Sequence, residues 1–194
     1  MQSLSDYEII GRVLDGHTRL FSELVERHQD KAMTLAMRML RNREDAEEAV
    51  QDAFVRAFRA LERFEKRSRF ATWLYRILYN VCSTALTKRG EPLERSFPEW
   101  DDEGEEIEIP DFSAIPDSVV EGEELRQHVV DAMNELPPIY SGITTMFYLD
   151  DLSYEEIAQI TESPVGTVKA RLFRARALLR EAIVRRTGKR EYAG

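Results

Sequence analysis

SYEEIAQITESPVGTVKARLFRARALL, residues 153–179, reads as two helices joined by a very short turn. Ser153 and Glu156 have the spacing of a capping box, in which each satisfies an orphan amide at the start of the first helix. Ser163 offers a second N-cap, and Pro164 suits the first turn of a new helix, where no amide donor is needed. In that second helix Val165, Val168, Leu172, Ala175 and Leu179 recur at steps of three and four, so they share one buried face. At about 100° per residue, Ala170 and Arg174 point directly away from it, flanked by Thr167, Arg171 and Phe173, with Lys169 and Arg176 nearer the edges. A small residue beside arginines on the outer face of a helix after a tight turn is the arrangement by which a helix-turn-helix enters a major groove. Arginine there meets guanine edges, apolar atoms meet thymine methyls, and lysine meets phosphates. The competing reading is an ordinary helical hairpin with a solvated basic face. Two features weigh against it: nine Lys or Arg face two acidic residues from Ser163 onward, and Phe173 is badly placed for the helix's own core.

Outward from this hairpin, the chain of 194 residues has only 9 glycines and 7 prolines and long periodic segments. It is therefore expected to be all-α: two small helical domains joined by an acidic flexible linker, the C-terminal one a helix-turn-helix. One cysteine, Cys82, rules out a disulfide framework, and His17, His28 and His128 are scattered without metal-ligand spacing. No catalytic residue, metal ligand or cofactor site is expected. Without a signal peptide or an apolar run long enough for a bilayer, a cytoplasmic protein with no direct membrane insertion is expected. The net charge of −9 argues superficially against nucleic acid, but its distribution reverses that. Residues 1–90 hold 16 basic and 13 acidic side chains, residues 91–121 hold one and 12, and residues 122–194 hold 10 and 11. The acidity is thus concentrated in one segment, which leaves the flanks free to carry basic faces of their own.

The expected organisation is a domain over 1–90, a linker over 91–121, a second domain over 122–188 and a tail over 189–194. Helices are expected over 5–15 and 18–40, with Asn42 capping a third over 43–62. In that third helix Ala46, Ala49, Val50, Ala53, Phe54, Ala57 and Leu61 form the buried stripe. Glu48, Gln51, Asp52, Val55 and Arg59 lie opposite. A solvated charged face is the bland explanation, but a valine exposed among those acids points to a protein-docking surface. Residues 63–89 interleave Phe64, Phe70, Trp73, Tyr75 and Tyr79 with Lys66, Arg67, Arg69 and Arg76. Aromatic rings stack on unpaired bases for about 1–3 kcal/mol each, while the cations follow the phosphates. Trp73, Ile77 and Val81 have core spacing, whereas the loop from Phe64 to Phe70 and the polar Asn80 are harder to explain as packing. Beyond the linker, a helix is expected to run through Val119 to Met133 and stop at Pro137-Pro138. Another follows from Ile139 to about Leu149.

Three motifs together resemble one family, the bacterial sigma factors of the extracytoplasmic-function type, and the match covers nearly the whole chain. DAEEAVQDAFVRAF (45–58) resembles the helix these proteins dock on the clamp of the RNA polymerase largest subunit. RFATWLYRILYN (69–80) is similar to the segment that melts and reads the −10 promoter element. LSYEEIAQITESPVGTVKARLFRAR (152–176) looks like the helix-turn-helix that reads the −35 element. The resemblance implies core docking by Glu48, Gln51, Asp52, Val55 and Arg59. It implies −10 contacts by Arg56, Phe64, Lys66, Arg67, Arg69, Phe70, Trp73, Arg76 and Asn80, and −35 contacts by Thr167, Lys169, Ala170, Arg171, Phe173, Arg174 and Arg176. It further implies that the acidic linker threads the polymerase channel that later holds RNA, and that an anti-sigma factor is a partner. The chain departs from the family at the hairpin turn, where Thr161-Glu162-Ser163 stands in place of a usual glycine. Ala170 also replaces a common serine, and Glu48 and Asp52 exchange carboxylate lengths.

The expected function is therefore that of a promoter-specificity subunit of RNA polymerase, binding duplex and single-stranded promoter DNA with no small-molecule substrate. A stand-alone helix-turn-helix regulator is the alternative, and it leaves the aromatic-basic stretch unexplained. An enzyme finds no support, because there is no Walker loop, metal cluster or paired nucleophile and base.

Overall fold

The computed structural model describes residues 4–91 and 131–187; among these every regular element is helical and no strand occurs. The acidic linker beyond Glu91, most of the helix expected through Val119 to Met133, and the tail lie outside the described residues.

α1 (Asp6–Leu14) starts on a capping box in which Ser5 and Glu8 bond reciprocally. The expected helix over 18–40 begins as a 3-10 turn at Thr18–Leu20 and becomes α2 at Phe21–Leu40. Arg41 closes it in the left-handed region at φ 54°, and Asn42 then caps α3 (Arg43–Arg59) by accepting from the Asp45 amide at 3.0 Å. α3 ends three residues before the expected boundary, and a 3-10 turn at Leu61–Arg63 carries Leu61 into the core. α4 (Phe70–Lys88) follows an extended loop, and α5 (Pro138–Tyr148) places Pro138 at its first turn. α6 (Tyr154–Thr161) carries the predicted Ser153–Glu156 capping box, and α7 (Val165–Thr187) completes the helix-turn-helix.

α1 to α4 enclose Ile9, Leu24, Leu35, Leu74, Leu78 and Cys82, all fully buried. α5 to α7 enclose Tyr140, Ile143, Ile157, Ile160, Val168 and Leu172. The two helical regions share one continuous core, because α5 packs on α2 and α6 packs on α4. Gly142 is the point of closest approach: a Cβ there would lie 3.2 Å from Met39 Cγ. A helix interior is a poor place for glycine, so here the loss of side chain serves proximity. α5 is buried nearly all round although it carries Ser141, Thr144 and Thr145, and the last two hydroxyls have no hydrogen-bond partner among the described residues.

Polar contacts follow the same seam. Arg38 bonds Asn134, and Arg41 bonds the Leu136 carbonyl. Tyr75 donates its hydroxyl to Asp150 Oδ2 at 3.0 Å while Lys31 Nζ lies 3.4 Å from Oδ1. Burial pushes the Asp150 carboxyl above its ordinary range, against the pull of Tyr75 and Lys31. Burial likewise raises the Tyr75 hydroxyl, and the Asp150 charge adds to the effect.

Candidate nucleic-acid interface

The turn between α6 and α7 is only Glu162-Ser163-Pro164, and it closes because Glu162 takes the left-handed conformation at φ 52°. For a residue with a Cβ this costs about 1–2 kcal/mol. Val168, Leu172 and Ala175 are buried as their spacing predicts, while Val165 and Leu179 are only half-buried. Ala170 and Lys169 are exposed, Phe173 is 37% exposed, and Thr167 and Arg174 are half-buried.

Arg171 and Arg176 on the outer face have protein partners that sequence spacing does not reveal. Arg171 is half-buried and donates to Ser163 Oγ at 3.0 Å, while Ser163 itself donates to the Thr161 carbonyl. Arg171 therefore braces the turn. Arg176 donates from Nε to the Tyr148 hydroxyl at 2.6 Å, with its guanidinium 5.9 Å from the Phe147 ring and 5.7 Å from the Tyr148 ring. That ties α7 to the end of α5. Lys169 sits 5.8 Å from the Tyr154 ring, which limits its sweep without burying its charge.

In the aromatic-basic stretch the structure divides rings from cations. Phe64 and Phe70 are 8% and 1% exposed, so their expected role as stacking surfaces for bases is corrected to packing. Phe64, Phe70 and Trp73 form one cluster, with Trp73 5.1 Å and 5.9 Å from the two phenyl rings, and His28 adds a fourth ring beside Phe70. Burying rings of this size gains about 25 cal/mol for each Å² of apolar area withdrawn from water. Trp73 is half-buried, as its core spacing suggests, and Tyr75 and Tyr79 are buried. Lys66, Arg67, Arg69, Arg76 and Asn80 are exposed. Lys66 has φ 56°, and Arg67 pairs with Glu65 at 2.8 Å. Arg69 and Arg76 reach across to the helix-turn-helix: Arg69 lies 3.0 Å from Glu156, and Arg76 meets Glu162 Oε1 through Nε at 2.8 Å and an Nη at 2.7 Å. Burial pushes Glu156 up, but the Ser153 amide and hydroxyl, Arg69 and Thr72 outweigh it and hold the carboxyl below its ordinary range.

α3 presents Glu48, Gln51, Val55 and Arg59 outward, with Asp52 half-buried. Asp52 pairs with Arg56 at 2.8 Å one turn along, which sets the exposed Arg56 guanidinium beside this face. Gln51 and Val55 edge an open groove of about 850 Å³ between α2 and α3, floored by Val25, Met33, Val50 and Phe54 and flanked by Phe58. Val55 and Phe58 are 40% and 42% exposed. The α2 side of this groove was invisible in sequence, because it depends on how α2 and α3 pack. Phe58 was detectable, three residues from Val55 on one helical face.

Residues 24–91 match the family model of Sigma-70 region 2, and residues 126–179 match that of Sigma-70 region 4. The chain is 36% identical over 188 residues to the ECF RNA polymerase sigma-E factor of Haemophilus influenzae, covering 94% of this chain and 97% of that protein. It is 38% identical over 183 residues to the sigma-E factor of Escherichia coli K12, covering 90% and 92%. Among solved structures, CnrH in complex with the cytosolic domain of CnrY superposes with a TM-score of 0.61 at 22% identity, over 92% of this chain and 96% of that one. The sigma factor RpoE of Bartonella quintana, in complex with the anti-sigma factor NepR, gives 0.60 at 22% identity, over 84% and 96%.

Proposed function

The chain belongs to the extracytoplasmic-function sigma factors of the sigma-70 family, a class that directs transcription initiation, and from that membership we propose how its parts divide the work. Residues 1–90 dock on the polymerase core and capture the −10 element. Residues 122–188 read the −35 element, and the acidic segment 91–121 joins them. The bond-making chemistry belongs to the polymerase, and this subunit works in the cytoplasm by binding alone.

The observation that carries this reading is the groove between α2 and α3. Its apolar floor with Val55 and Phe58 at the rim suits a helical partner, and Glu48, Gln51, Asp52 and Arg59 supply the polar surround. Lys66, Arg67, Arg69 and Arg76 form a basic surface for strand phosphates, and Asn80 offers both a donor and an acceptor to a base edge. Melting costs on the order of 1.4 kcal/mol per stacked step, so captured bases must recover that cost in contacts. On α7, Arg174 is the base reader, with Ala170 and Phe173 toward thymine methyls and Lys169 toward phosphates. Arg171 and Arg176 hold the reading helix in place. An anti-sigma factor is a further partner, by analogy with the complexes of the structural relatives.

Transcription by core polymerase from a library of randomised promoters, with and without the protein, tests the reading. Transcripts that require the protein and share one −10 and −35 pair are expected. Tight binding to duplex DNA without polymerase, and no gain in initiation, would assign the chain to the stand-alone regulators.

A further inference from the structure

We propose that this sigma factor holds itself in a closed, self-masking state, in which carboxylates of α6 and of the turn after it pair with the exposed arginines along α4, and that Glu162 is the latch. The inference rests on the reading of Arg69 and Arg76 as −10 contacts.

Polar contacts cross from α4 and its N-cap residue Arg69 to the other region: Arg69 and Thr72 to Glu156, Tyr75 to Asp150, and Arg76 to Glu162. Positions 69, 72 and 76 recur at three- and four-residue steps, so they form one stripe along α4. Carboxylates occupy the guanidiniums that would otherwise face strand phosphates. Closure and strand capture therefore draw on the same donors and exclude each other.

Glu162 itself has no conformational reason to be where it is. A left-handed residue ending a helix favours glycine, which takes that conformation without a steric cost. The glutamate accepts the strain and places one carboxylate oxygen against both Nε and an Nη of Arg76. The strain belongs to the turn and is the same in open and closed states, so only the ion pair biases the equilibrium between them.

The seam also shows why the closed state is reversible. Thr145 shares the face of α5 that Gly142 presses against Met39, and its buried hydroxyl has no partner among the described residues. Opening returns that hydroxyl to water, which offsets part of the apolar area exposed. The α2–α3 groove takes no part in the α4–α6 contact, so closure leaves it accessible.

The test uses the full chain carrying E162G, E162Q, R76E, or the exchange R76E/E162R. Small-angle scattering reports compaction, and anisotropy of a short fluorescein-labelled single strand of randomised sequence reports capture. Losing one exposed pair should shift the closed-to-open ratio about two- to fivefold. Both Glu162 variants should therefore expand and bind the strand about two- to fivefold more tightly, with the difference fading at high salt. The exchange should restore compaction without restoring capture. Parent-like compaction and affinity in both Glu162 variants would overturn the latch. Tighter binding without expansion overturns closure and reduces Glu162 to a local charge mask. Expansion without tighter binding supports the latch and overturns the −10 assignment, in which case R76E alone should also leave strand affinity unchanged.

Discussion

Replacing Val55 by aspartate addresses the docking groove most directly. Val55 is 40% exposed, so about that share of its side chain remains to be covered by a partner. Full burial of a valine is worth about 1.5–3 kcal/mol, and the remaining share about 0.6–1.2 kcal/mol. The new carboxylate would also be stripped of water against Val25, Met33 and Phe54 with no partner, which costs about 1–3 kcal/mol more. Together these predict a loss of about 2–4 kcal/mol in binding, or roughly thirty- to a thousandfold in affinity for core polymerase. Folding should hardly change, because valine and aspartate have similar helix propensities and the position faces the open groove. Anisotropy of labelled protein titrated with core enzyme gives the affinity, and thermal unfolding checks the fold. Asp52→Lys is the informative comparison, since it breaks an exposed one-turn pair with Arg56 and should cost only about 0.2–1 kcal/mol. A Val55→Asp protein that melts like the parent and binds core within about twofold of it would refute the groove as the docking site.

Three further outcomes are expected. In assembled holoenzyme on randomised −35 sequences, Arg174→Ala should cost about 1–3 kcal/mol and relax preference at one base pair, whereas Lys169→Ala should weaken all sequences alike; equal, sequence-independent losses would erase the distinction between reader and anchor. Asn80→Ala should impair open-complex formation on duplex promoters, and a pre-melted template should recover part of the loss; parent-like behaviour on both would make Asn80 structural. Burial pushes the Cys82 thiol up to about 12, so a thiol reagent at neutral pH should label it only on unfolding, and rapid labelling of the native protein would contradict its place in the core.

Local sequence alone determined the helices and most of their ends. Ser5, Asn42 and Ser153 sit where caps were needed, and the three- and four-residue steps of Ala46 to Leu61 and Val168 to Ala175 identified the buried faces. These features are legible because capping and amphipathic periodicity act over a few residues, within one element. The exposed Val55, Ala170 and Phe173 were legible for the same reason: each is the complement of a stripe. What the tertiary structure alone decided is which side chains of mixed character lie inside and whom the charges meet. Phe64 and Phe70 interleave with cations in sequence, yet three aromatic side chains and His28 from a distant helix gather into one cluster and are withdrawn from water. Arg171 and Arg176 have the outward spacing of groove residues, but Ser163 and Tyr148 claim them. No pattern in α4 announces that Arg69 and Arg76 will face Glu156 and Glu162, more than eighty residues away. Pairings of that kind depend on how two amphipathic units are set against each other. Periodicity within a helix carries no information about that placement, because it is settled by contacts such as Gly142 on Met39 that exist only once both units are formed.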